Sequence, residues 1–466
     1  MAKVVNIFSS MDEDMKDYHK KIWKHRLAVV MKYAVIAVLV LLAVFGMRYY
    51  FNNRSFTGYS IADTTERNDT LTTKYASFGN KILKYSRDGV SYTDDENSLL
   101  YSITYTMQEP MLALSSKAGV VADKNGSQIY TFDQTKQTGQ ITTLLPIKHV
   151  TISNQGVVAV LMEDSSMTKL EVYSSDGTLL GDGVFDLEDA GYPLDLSISS
   201  DGTKIAITFA QISGTKFSSC VAVYNFDNVG ENYVDHLVFA KNYTDYMVPE
   251  IHYFDASTLA AVGDGMMAFY QGSQIPELVN EVFFEEEIKS VFYGENTVGL
   301  VFEAAEGKIL KLYDTKGNLN AEVPFDLDYK NIRIVDNRIV IYNDTEMGLY
   351  SYDGKECFRH TFDTSVVDIF PTKSRSKYLF IYTNETQLIK LQKDLEENHY
   401  ELAVLGGGSI DCLPRDRWSA SWIYQKIRIC SIVDCNFGVG YLPDTSDYRV
   451  YSGVYFPARI LAGKMQ

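Results

Sequence analysis

The chain has 466 residues, with 43 Lys+Arg against 60 Asp+Glu and a formal net charge of −17 at pH 7. Residues 1–51 carry 8 basic and 4 acidic side chains, so the remainder holds 35 against 56, a charge of −21. Such a surface repels phosphate backbones and argues against nucleic-acid binding, while 33 Tyr and 24 Phe beside many Val and Ile favour strands over helices.

The first 26 residues form a short basic leader with Lys20, Lys21, Lys24 and Arg26 ahead of a long apolar run. Residues 27–51 then read as a transmembrane signal-anchor helix, because about 20 apolar residues suffice to cross a bilayer. Tyr33, Val35, Ile36, Val38, Leu39, Val40, Leu41, Leu42, Val44 and Phe45 are the residues expected to meet lipid, and Lys32 alone interrupts them, near one end. The basic residues crowd the N-terminal flank, which places the leader in the cytoplasm and the bulk outside. A cleaved signal peptide is disfavoured: no small-residue cleavage site follows, and the run continues into Arg48-Tyr-Tyr-Phe51. Residues 52–72 are polar and lack periodicity, and are read as a stalk.

From residue 73 to about 405 a phrase recurs: an apolar strand, Tyr or Phe, a turn with Asp or Gly, another strand. It appears as Lys84-Tyr-Ser-Arg-Asp-Gly89, Tyr130-Thr-Phe-Asp133, Val172-Tyr-Ser-Ser-Asp-Gly177, Val223-Tyr-Asn-Phe-Asp227, Leu312-Tyr-Asp-Thr-Lys-Gly317 and Tyr350-Ser-Tyr-Asp-Gly354. Asp-Gly supplies the backbone freedom that tight hairpins need. Four short strands per unit at this spacing predict an all-β fold, an eight-bladed β-propeller with WD40/YVTN-like four-stranded blades. The units run 73–107, 109–146, 147–188, 192–242, 248–286, 287–326, 328–363 and 364–405, with Tyr400-Glu-Leu-Ala-Val404 as the last strand. Seven blades is the alternative if the first unit is partly stalk. Runs such as Gly156-Val-Val-Ala-Val-Leu161 fit blades buried on both faces.

The leader with Val4-Val-Asn-Ile-Phe8, the single N-terminal helix and the Tyr-rich blades resemble a family of uncharacterised membrane-anchored propeller proteins of Gram-positive bacteria. The resemblance spans roughly residues 1–405. It implies an extracytoplasmic setting and brings no site residues with it, the family having no assigned activity.

Residues 406–466 open with Gly406-Gly-Gly-Ser409, a flexible break, and hold Cys412, Cys430 and Cys435. Two readings stay open for this tail: a small segment packed on the propeller, or a translated accident such as a shifted frame. Five cysteines leave at least one unpaired, and Cys220 and Cys357 lie in distant blades.

No HExxH, G-x-S-x-G, P-loop or dinucleotide fingerprint occurs, so no catalytic, cofactor or metal residues are assigned. His149 opens an inner strand and is a candidate channel residue, though most such histidines are hydrogen-bonded core residues. Asp94-Asp-Glu96 and Glu285-Glu-Glu287 sit beside turns and read as solvated loops, lacking the ladder of ligands that wraps calcium. The composite expectation is a non-catalytic binding or scaffold module for a cell-envelope protein or polysaccharide, attached to the lipid bilayer by one helix. A glycan hydrolase or lyase with channel-facing carboxylates is the alternative, and would need two carboxyl groups about 5–10 Å apart.

Overall fold

The computed structural model describes residues 7–393, save for 53, 68, 71, 80, 95–97, 165–166, 189, 214–215 and 336–337. The tail, with Cys412, Cys430 and Cys435, His399 and the proposed strand at 400–404, lies outside the described residues.

Helix α1 runs Ile7–Asn52, so leader and apolar run are continuous. Within it, Trp23–Met47 is long and apolar enough to cross a membrane, and no part of that span is buried by the rest of the chain. The ten residues from Tyr33 to Phe45 expected to meet lipid all lie in this span, and Lys20, Lys21, Lys24 and Arg26 precede or begin it. A helix apolar all round is stable only where something apolar covers it.

Among the described residues, thirty-two strands follow, in eight separate four-stranded antiparallel sheets. Blade 1 holds β2–β5 (74–104), blade 2 β6–β9 (110–142), blade 3 β10–β13 (147–186) and blade 4 β14–β17 (192–244). Blade 5 holds β18–β21 (250–283), blade 6 β22–β25 (290–325) and blade 7 β26–β29 (331–361). Blade 8 combines β30 (Val366–Pro371), β31 (Lys377–Tyr382) and β32 (Glu385–Gln392) with β1 (Gly58–Glu66). The first seven units expected from the repeated phrase match blades 1 to 7, and the count is eight.

Blade 8 differs from the sequence reading. Its outer strand is β1, which pairs antiparallel with β32 from Gly58 opposite Gln392 to Glu66 opposite Glu385. The stretch 52–72, read as a stalk, therefore carries a structural strand. It was illegible because six of its nine residues, all but Gly58, Ser60 and Thr65, face solvent with no apolar alternation, as befits an outermost strand, and its register shifts between Ile61 and Asp63. Closing the last sheet with an N-terminal strand ties the two ends of the ring together and leaves no open blade.

Eight hydrophobic clusters fill the eight contacts between neighbouring blades. Strand β11 (Val158–Glu163) shows how a continuous apolar run serves this plan. Val158, Val160 and Met162 join the cluster shared with blade 2, whereas Ala159 and Leu161 join the one shared with blade 4. The Asp-Gly phrase mostly marks the turn from third to fourth strand: Gly177, Gly317 and Gly354 have φ of +92°, +79° and +76° and donate back to Ser174, Asp314 and Ser351. Lys84–Gly89 is the exception, joining the second and third strands of blade 1.

Candidate functional site

The first strands of successive blades touch one another: β10 meets β6 and β14, β14 meets β18, and β22 meets β26. They are therefore the inner strands around the propeller axis. Each has one edge unpaired within its own sheet, so its backbone groups and polar side chains must find partners across the blade boundary or in the channel.

On the side of blades 4 to 6 the channel is acidic and aromatic. Asp195 on β14 accepts the backbone N–H of Ile251 on β18 at 2.9 Å, and Ser197 accepts that of Tyr253 at 2.9 Å. Burial pushes the Asp195 carboxyl up to about 6, against the backbone hydrogen bonds that favour its charge. Glu250 is also raised by burial, opposed by the Tyr293 hydroxyl that donates to it at 3.0 Å. His252 stacks on Tyr293 at 4.3 Å between centroids and meets Phe254 edge-on, and burial alone pushes it down to about 4. His252 is thus neutral at pH 7.

On the side of blades 7 and 8, Arg333 of β26 is clamped. Its Nη2 donates to Asp368 of β30 at 2.8 Å, its Nε to the Tyr342 hydroxyl at 3.3 Å, and its guanidinium lies 4.0 Å over the Phe370 ring. The Tyr342 hydroxyl donates to the same Asp368 oxygen. Burial works against the Arg333 charge, but Asp368 and Tyr342 outweigh it and raise its pKa. Beside this clamp opens a cavity of about 760 Å³ between the inner strands of blades 1, 6, 7 and 8, lined by Tyr293, Arg333, Lys81 and Lys373 among others.

The candidates named from sequence are dispersed. His149 lies on inner strand β10, half-buried, its pKa lowered by burial and then by Lys124 and Lys148. Glu286 and Glu287 pair with Lys311 and Lys289 at 3.2 and 2.6 Å on exposed loops. Cys220 and Cys357 are free thiols in blades 4 and 7. Among the described residues no group of three or more His, Cys, Asp or Glu side chains converges as a metal site. The polar groups that do find partners across blade boundaries, Asp195 with Ile251, Glu250 with Tyr293 and Arg333 with Asp368, were passed over by sequence reading. Their signal was a single polar residue inside an inner strand, as in Asn331-Ile-Arg-Ile-Val335.

Residues 52–391 match the family described as a family of unknown function (DUF5711), and the chain belongs to that family. No curated protein matches its sequence. Among solved structures it is similar to BamB from Moraxella catarrhalis, at 10% identity and a TM-score of 0.46, over 72% of this chain and 100% of that one. It is also similar to a eukaryotic initiation factor (10%, TM-score 0.45, 73% of this chain and 91% of that one). Apo AztD from Citrobacter koseri matches at 9% identity, TM-score 0.42, over 63% and 86% of the two chains. These likenesses concern the fold alone; the blade count rests on this chain's own sheet order.

Proposed function

We propose that this chain is a non-catalytic binding module. It is held in the cell membrane by α1, with its N-terminus cytoplasmic, and presents the propeller at the outer face of a Gram-positive cell to an envelope protein or polymer. The observation that carries this reading is how the channel spends its polar groups. Asp195 holds Ile251, Glu250 holds Tyr293, His252 is stacked, and Arg333 is shared by Asp368 and Tyr342. These groups join blade to blade, and a rigid disc is what a docking platform requires. The Lys and Arg excess before the apolar span supports the orientation.

The strand register supports a choice of face. Gly58, where the chain enters the propeller, pairs with the last residue of β32, so the helix joins on the face where first and third strands end. The opposite face carries the blade-to-blade connections and the hairpin of β15 (Lys204–Ser213) and β16 (Lys216–Asn225), the longest in the ring, with Ile212 78% exposed. That face is the one we assign to docking.

A glycan-cleaving reading is favoured by one observation, the raised pKa values of Asp195 and Glu250 on adjacent inner strands. Cross-linking pull-down of the full-length protein from intact cells, beside Ile212→Lys and a Glu250→Gln variant, separates the two. One dominant envelope partner, lost with Ile212→Lys and kept with Glu250→Gln, supports the platform. Glycan shortening that Glu250→Gln abolishes overturns it in favour of the enzyme.

A further inference from the structure

The channel cavity is basic in a chain whose outer part is strongly acidic. Its charged lining consists of Lys81, Arg333 and Lys373, with Ser77, Asn331 and Thr372 as neutral polar neighbours, and no carboxylate is among its described lining residues. Asp368 stands behind Arg333 and occupies only one edge of the guanidinium. Nη1 of Arg333 makes no hydrogen bond among the described residues, and neither Lys81 nor Lys373 has an ion-pair partner among them. The stack on Phe370 and the bonds to Asp368 and Tyr342 fix the guanidinium plane before any ligand arrives. The Lys81 ammonium lies 5.9 Å over the Tyr92 ring. A fixed fork with two ammonium groups beside it matches the several oxygens and the negative charge of a phosphoryl group.

The position agrees with that chemistry. Lys81, Val335 and Lys373 lie at the turns between first and second strands, so the cavity opens on the face where the chain enters from α1. We propose that this cavity binds a phosphoryl anion, carried either by a soluble phosphate ester or by a lipid headgroup. The aromatic and aliphatic wall of Phe292, Tyr293, Ile334 and Leu379 would receive the organic part of that ligand. The proposal does not depend on the platform reading, since it concerns the channel and not the opposite face.

The test uses full-length protein. Calorimetric titration with sn-glycerol 3-phosphate in phosphatidylcholine nanodiscs reads the soluble source. Native mass spectrometry after release from mixed phosphatidylglycerol and phosphatidylcholine reads the lipid source. Lys81→Ala/Lys373→Ala is compared with Lys308→Ala/Lys330→Ala, which removes the same charge from exposed pairs, and near-UV circular dichroism confirms that both fold. Saturable binding of either probe, weakened about tenfold or more in the first variant alone, supports the site and names its source. No saturable binding of either probe, or equal weakening in both variants, overturns it.

Discussion

The contact between blades 4 and 5 and the contact between blades 8 and 1 do the same job by different means. The first buries thirteen residues in one cluster, including Tyr270, whose hydroxyl meets that of Tyr243 at 2.5 Å. The second buries four, Tyr75, Ile82, Phe370 and Ile381. What the seam lacks in apolar area it replaces with a polar knot at the point where β1 hands over to β2. Asp69 accepts from Tyr75 at 2.9 Å and Lys84 at 3.0 Å and pairs with Arg67 at 3.4 Å, while Arg67 lies 5.1 Å over the Tyr75 ring and donates to the Tyr382 carbonyl. Apolar burial is non-directional and forgiving, whereas this knot works only in one register. The ring closes where its two chain ends meet, and there specificity of pairing matters more than area.

The largest effects should separate the two contacts by kind. Tyr270→Ala removes a fully buried aromatic ring and is expected to cost about 3–5 kcal/mol, spread over the whole unfolding transition. Thr65→Pro strikes β1, where the Thr64 N–H turns to Asp63 and alternation aims that of Thr65 at β32. It is expected to cost about 3 kcal/mol, with its signature local: amides of β1, β32 and β2 exchange early while those of blades 4 and 5 stay protected. Hydrogen exchange of the full-length chain in detergent reads both. Uniform loss of protection in Thr65→Pro would mean that the seam is not a separable closure.

Asp69→Ala comes next. Arg67, only 1% exposed in its side chain, and Lys84, 11% exposed, would be left without their shared carboxylate. A cost of about 2–3 kcal/mol is expected, below that of a fully buried pair because Asp69 itself is partly open. Denaturant midpoints in low and high salt should converge for wild type and variant, whereas Tyr270→Ala should keep its deficit in both.

A pH titration sharpens the contrast from the other side. Asp195, raised to about 6, holds its proton more tightly when folded, so its contribution is full at low pH and is lost as pH rises through 6. His252, lowered to about 4, must be neutral when folded, so its contribution is full above its ordinary value and is lost as pH falls through 4. Between pH 4 and 6 the two slopes oppose each other. Asp195→Asn should make stability rise with pH across that window, and His252→Phe should make it fall, each by about 1–2 kcal/mol. Urea unfolding at three pH values checks the signs, and parallel slopes in the two variants would break the account.

How much of this was written in the sequence depends on which surface carried the information. Blade boundaries were legible because strands such as β11 are buried on both faces and the third-to-fourth turns of blades 3, 6 and 7 use a glycine at positive φ, as at Gly317. Strand β1 was not, since an outermost strand facing solvent has no apolar period, and its partner β32 lies more than three hundred residues away. Nor were the channel residues legible: Asp195 and Arg333 gain meaning only from Ile251 and Asp368, which belong to the next blade.

The smallest expected effect is the strictest test of the seam. Lys330 and Asp344 of blade 7 pair at 2.6 Å, closer than Arg67 and Asp69, but both side chains are more than half exposed. Water solvates each charge nearly as well alone as paired, and ordering two flexible side chains offsets most of the attraction. Lys330→Ala is therefore expected to change stability by less than about 0.5 kcal/mol, with little dependence on salt. Set beside Asp69→Ala under identical conditions, it holds interaction type constant and varies burial. Equal losses in the two variants would show that the seam gains nothing from enclosing its charges. A several-fold larger loss at Asp69 would place the strength of ring closure in the desolvated knot around Arg67.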